Sequence, residues 1–161
     1  MKKIISISLI ILCVIATIVP TAYAEDNFQY DSLDVVTETE YFDDGSYIVT
    51  TIRQTPTARA STYTKHGEKV VELFNSSDEL QWTYILTGTF QVTAGVSAVC
   101  TNSTYSVEIT DSNWHLTAHD NSYSGNTAYG TATIKKKVLF ITTNTYDIDA
   151  SVSCDADGNI R

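Results

Sequence analysis

Three sets of residues have types and spacings that could do chemistry: His115 with His119, Cys100 with Cys154, and the run Lys135-Lys136-Lys137. On a helix, histidines four apart can present both rings to one zinc ion. These two lie in WHLTAHD, where Trp114, Leu116 and Ala118 alternate with polar residues. That is the pattern of a strand, on which residues four apart are separated by about 13 Å along one face. Both histidines are therefore expected in solvent, opposite Trp114, and no shared metal is expected. His66, beside Gly67, has no partner motif. Asp155, Asp157 and Asn159 with Gly158 offer alternating oxygens near a turn. A calcium loop of the EF-hand kind needs a glycine at its sixth position and a final glutamate, and neither follows. No metal and no cofactor is expected.

The sequence carries three cysteines. Cys13 sits inside an apolar run and follows Leu12, where lipidation would want a small residue. Cys100 and Cys154 would be the pair left in a secreted chain, and such pairs form bridges. Closing a loop of roughly fifty residues contributes about 4 kcal/mol in the chain-entropy account. No neighbouring His or Lys and no CxxC lowers either thiol's pKa, so a structural disulfide is expected rather than a reactive thiol. Other nucleophiles have no frame: there is no GxSxG elbow. Glu25 to Asp44 holds eight acids and no base. A glycosidase would need two acids facing each other across a cleft, one in an apolar pocket. This cluster reads instead as solvated charge, and the chain as a non-enzyme.

The lysine run falls between Ile134 and Val138, at or near an expected hairpin turn. At least one of three consecutive lysines on a strand points inward. They either guard an apolar edge against pairing or contact an anionic wall polymer or the acidic arm of another copy. Three tyrosines are candidate ligand contacts. Tyr63 and Tyr123 lie in polar stretches, and Tyr129 alternates with Ala128 and Gly130. Tyrosine stacks on sugars and anchors protein partners, but single surface tyrosines are also ordinary.

The elements that position these groups follow from the rest of the chain. Lys2 and Lys3, the apolar run Ile4 to Val19, Pro20 and Ala22-Tyr23-Ala24 predict a signal peptide over 1–24. The run is shorter than the ~20 residues that usually span a bilayer. The net charge of −9 becomes more negative by two once Lys2 and Lys3 are removed. Such a surface disfavours nucleic acid and anionic membranes. The expectation is thus a secreted protein of a Gram-positive bacterium, with no nucleic-acid partner and no membrane contact after signal removal. Residues 25–32 form an acidic arm expected to be mobile.

From Leu33 onward the periodicity is that of strands. VVTETEYF and YIVTTIR flank Asp43-Asp44-Gly45-Ser46 as a hairpin. Gln54 to Gly67 reads as a loop. Further strands are expected over 69–74, 80–92, 96–100, 105–109, 114–118, 128–134, 138–143 and 146–154. Turns fall at 102–103, at the polar 121–126 and at the lysines. Many short strands at this spacing predict an all-β antiparallel β-sandwich, immunoglobulin-like in build, over 33–154. Residues 155–161 form a tail. The expected core is Trp82, Tyr84, Leu86, Val96, Ala98, Val107, Trp114, Leu116, Ile148 and Val152.

The succession YFDDGSYIVT, WTYILTGTF, Cys100-Thr101, DSNW, Gly130-Thr131-Ala132, KKKVLFIT and a closing Cys-Asp-x-Asp-Gly resembles small secreted proteins of Gram-positive anaerobic bacteria with no assigned function. The resemblance covers most of 25–161 and implies no catalytic residue, ligand or cofactor. The expected function is an exported, non-catalytic binding or interaction module with a protein or glycan partner. The alternatives are a carbohydrate-binding module and a small secreted hydrolase.

Overall fold

A computed structural model describes residues 33–56 and 60–161. The expected signal peptide, 1–24, and acidic arm, 25–32, lie outside the described residues. Eight strands follow one another: β1 (Leu33–Tyr41), β2 (Tyr47–Gln54), β3 (Thr62–Phe74), β4 (Leu80–Thr93), β5 (Ser97–Ile109), β6 (Trp114–Ser124), β7 (Thr127–Val138) and β8 (Ile141–Ser153). They form two antiparallel sheets, ordered β1-β2-β3-β4-β5 and β6-β7-β8. Every neighbour in a sheet is also a neighbour in sequence, so each sheet is a plain meander. The chain changes sheet once among the described residues, between β5 and β6.

One core lies between the sheets. Tyr84, Leu86, Phe90 and Val92 of β4 meet Ala128, Ala132 and Ile134 of β7 and Ile148, Ala150 and Val152 of β8, all buried. Gly130 is the seat that lets the sheets approach. A Cβ there would lie 2.3 Å from the Tyr84 hydroxyl and 2.7 Å from Leu86. Trp82 and Trp114 meet edge-on at 6.5 Å, and Tyr146 touches both rings.

Several expectations are corrected. The stretch 54–67 is not all loop, because β3 starts at Thr62. The polar segment 121–126 is strand up to Ser124, with the turn at 125–126. The turn expected at 102–103 is absent, and β5 runs through it unbroken. The lysines lie near a hairpin turn, as expected, but are strand residues of β7 that pair with β8, the turn itself falling at Leu139 and Phe140. Val96 is no core residue; it is 74% exposed in the β4–β5 turn. Residues 155–161 are not a loose tail. Cys154 bridges Ile160, Ser153 and Arg161 exchange both backbone hydrogen bonds, and Ile160 is buried against Gly67.

One device explains the turn wrongly expected at 102–103 and recurs across the sheets. The register shifts by one residue at Thr37 in β1, Thr101 in β5, Thr117 in β6 and Thr143 in β8, as well as at Gln81 in β4. Each is a β-bulge, which leaves one residue unopposed and exchanges the inward and outward faces beyond it. The hydroxyls of Thr101, Thr117 and Thr143 donate to the carbonyls of Thr89, Thr133 and Lys136 at 3.2, 3.1 and 3.5 Å, the last a long bond. In each case the acceptor residue faces the residue just after the bulge. The threonine thus supplies a donor where the ladder is interrupted.

Candidate functional site

In an up-and-down meander, alternate turns share an end. The β1–β2 turn, the β3–β4 turn and the β5–β6 link gather around the base of the β7–β8 hairpin. The Lys137 amide donates to Asn113 of the β5–β6 link at 2.8 Å. Asp44, Ser46, Asn75, Trp114, Lys136 and Tyr146 are among the residues lining a cleft of about 190 Å³ there. The Asp44 carboxylate accepts from the Ser46 hydroxyl at 2.5 Å and from its amide at 3.0 Å. These bonds hold its pKa below the usual carboxylate range, and the Lys136 charge contributes further. Beneath the cleft, Phe42, Tyr146, Trp82 and Trp114 form a continuous aromatic floor.

From this floor the β7–β8 hairpin projects. Every residue from Lys137 to Thr145 is exposed. Val138 pairs with Ile141, leaving Leu139 and Phe140 as a two-residue loop. Both have positive φ, 49° and 70°, as a type I′ hairpin turn demands. Asn and Gly suit that turn, whereas leucine and phenylalanine are disfavoured in it. Phe140 is 100% exposed, Leu139 85%, Ile141 67% and Val138 44%. The apex of the molecule is therefore a contiguous apolar cap on a strained turn.

The lysines stand just behind the cap. Lys136 faces inward, as alternation requires, with its ammonium 5.4 Å from the Trp114 ring centre. Lys135 and Lys137 point to the opposite face by alternation. From Asn121 to Tyr146 the chain contains these three lysines and no acid.

The other candidates scatter. Tyr63 is buried beside Gly158 of the C-terminal turn, so it cannot meet a ligand as an exposed ring. Tyr123 and Tyr129 are exposed, but they pair with Ala128 and Ser122 and lie on opposite faces of the small sheet. The three tyrosines form no common platform. The bulge at Thr117 also separates the histidines. His115 keeps the outward face opposite Lys135, while His119 moves to the face of Ala132. There its Nδ1 lies 2.6 Å from the Tyr105 hydroxyl, and the two rings lie 4.6 Å apart. The His66 Nδ1 lies 3.3 Å from the Thr89 hydroxyl. Asp155 uses its carboxylate on its own turn, accepting from the amides of Asp157 and Asn159 and from the Arg161 guanidinium. Those bonds, the Asn159 side chain first, lower its pKa. Among the described residues no three His, Cys, Asp or Glu groups gather as a metal site.

At the opposite end, Cys100 and Cys154 are both buried and both free thiols, so the expected bridge is not formed in this structure. Their amides donate to Gly125 and Asn126, the two residues of one turn, at 2.8 and 3.1 Å. Burial raises both thiols, Cys154 to about 11, with Asp155 and Cys100 adding to that rise and Lys65 opposing it. Lys65 itself was invisible to sequence reasoning. It occupies an inward position of β3, is 1% exposed, and donates to the Thr55 carbonyl. Burial lowers its pKa. Its inward placement could be found only by extending β3 back to Thr62.

No family model, no curated protein and no solved structure matches this chain.

Proposed function

We propose that the chain is an exported, non-catalytic binding module that works through the end carrying the β7–β8 hairpin. The single observation behind this reading is the apolar cap over 138–141, held on two left-handed residues and backed by three lysines. Unfavourable backbone conformations persist where function uses them. Patches of exposed apolar residues rimmed by polar ones mark interaction sites. The two sheets and their shared core support a β-sandwich, immunoglobulin-like in its layered build, though with meander connections. Export follows from the leader pattern of 1–24, and a Gram-positive source from the resemblance. In the oxidising exterior we expect Cys100 and Cys154 to join, because both residues belong to one core cluster and their amides bond to adjacent residues of the same turn.

The carbohydrate-binding alternative would rest on Tyr123 and Tyr129 alone, one on each face. The deciding experiment is retention of the secreted chain on intact producer cells and on a glycan array, beside a variant carrying Leu139→Asn and Phe140→Gly. Retention that is lost in the variant supports the reading. Retention unchanged by the variant, or hydrolytic turnover abolished by one acid-to-amide substitution, overturns it.

A further inference from the structure

We infer that the β7–β8 apex is a membrane-docking tip whose ligand is an anionic phospholipid surface. The inference rests on the reading of this end as the working end, and it names the partner. It reverses the expectation of no membrane contact.

The geometry carries it in three steps. First, the cap has the composition that enters a bilayer interface: Val138, Leu139, Phe140 and Ile141, with Phe140 fully exposed. It crowns a projecting hairpin rather than a flat face, so it can enter lipid while the sheets remain in water. A protein partner would more often be met by a broad surface of about 800 Å² per side. Second, the charged groups lie at the depth of the headgroups. Lys137 to Lys135 precede Leu139 by two to four residues, or roughly 7–14 Å at strand rise. Apolar side chains of interfacial segments reach about 5–10 Å into the headgroup–acyl boundary, which leaves the ammonium groups among the phosphates. Third, the charge distribution orients the molecule. The whole chain carries −9, yet the stretch from Asn121 to Tyr146, which includes the hairpin's tip, carries only lysines; the first acids of β8, Asp147 and Asp149, lie farther from the tip. The turns at the hairpin's base carry Asp43, Asp44, Asp78, Glu79 and Asp111, so a negatively charged membrane repels the body of the domain and accepts only the projecting tip with its lysines. Lys136 lies close enough to Asp44 to help lower that carboxyl's pKa, while Lys135 and Lys137 point to the other face by alternation.

A single small cap gives weak and reversible attachment, and polybasic character adds a second attraction that salt screens. The test is flotation of the full secreted chain with vesicles of phosphatidylcholine alone and of phosphatidylcholine containing 30 mol% phosphatidylglycerol (on the order of the anionic fractions that attract basic segments). The expected result is binding to the anionic vesicles at least about tenfold stronger than to neutral ones, falling as salt rises. Leu139→Asn with Phe140→Gly should fold, because it installs the preferred turn, and should lose about tenfold or more of that binding. Lys135→Gln with Lys137→Gln should weaken anionic binding and flatten its salt dependence. A Phe140→Trp reporter should shift its emission to the blue on anionic vesicles only.

The proposal is overturned if the wild type ignores anionic vesicles at low salt, or if the Asn-Gly variant binds them equally. Self-association that is lost in that variant, without vesicle binding, would assign the tip to a second copy and also overturn it. If cell or glycan retention depends on the tip while vesicles are ignored, the working-end reading survives and the lipid assignment falls.

Discussion

An alanine at position 130 would drive its methyl into the Tyr84 hydroxyl and the Leu86 side chain, two of the most buried groups in the molecule. Overpacking of this kind costs about 1–3 kcal/mol, so Gly130→Ala should lower the urea midpoint accordingly at an unchanged slope. At the other end, the reduced form of the protein should show inert thiols. With its pKa near 11, Cys154 is about 0.1% thiolate at pH 8. Native alkylation should be far slower than in urea and should accelerate as pH climbs toward 11. A thiol whose pKa is raised in the fold retains its proton there. Its contribution is therefore complete below the ordinary thiol range and is lost as pH rises through that range to about 11. Denaturant titrations of the reduced protein between pH 7 and 11 should show that loss, and the secreted, oxidised protein should not. Two free thiols in the unreduced, denatured secreted protein would remove the disulfide from the reading.

The β7–β8 turn places an element-scale preference against exposure. Each left-handed residue other than glycine carries about 1–2 kcal/mol of strain, and here both are bulky. Leu139→Asn with Phe140→Gly should therefore raise the melting temperature while removing the cap, a separation of stability from binding that thermal unfolding would show. The strand run KKKVLFIT concealed this turn because it contains no residue that announces one. Sequence reasoning looks for Gly, Asn or Asp at positive φ, and it found Gly45 where the structure has a turn. Bulges concealed the continuity of β5 and the face taken by His119. In β5 the inward set switches from Ala98 and Cys100 to Tyr105, Val107 and Ile109, which on a rule of strict alternation can only be a turn. The alternation of Tyr146 to Cys154 was legible because that stretch contains no bulge. The cap residues were read as an edge to be guarded, since burial cannot be judged from four apolar letters.

At the scale of the molecule, the chain crosses between the sheets once among the described residues, and interdigitated side chains and hydrogen bonds such as Cys100 to Gly125 and Asn121 to Ser103 hold them together. Trp82 belongs to the larger sheet and Trp114 to the smaller, and their edge contact reports on the interface. Indole fluorescence and far-ultraviolet dichroism should therefore follow one coincident unfolding curve, and separate midpoints would mean that the sheets come apart in stages. The bulge threonines bear on how such a chain tolerates change in its own length. A strand residue cannot normally be removed without turning every later side chain to the wrong face. Thr117 is already surplus to the pairing of β6 with β7. A chain lacking Thr117 should keep Trp114 and Leu116 against Lys136 and Ile134, keep His119 against Ala132, and fold, while one lacking Thr131 should not. Positions 37, 101, 117 and 143 are thus joints at which the gene can gain or lose a codon and the fold can absorb it.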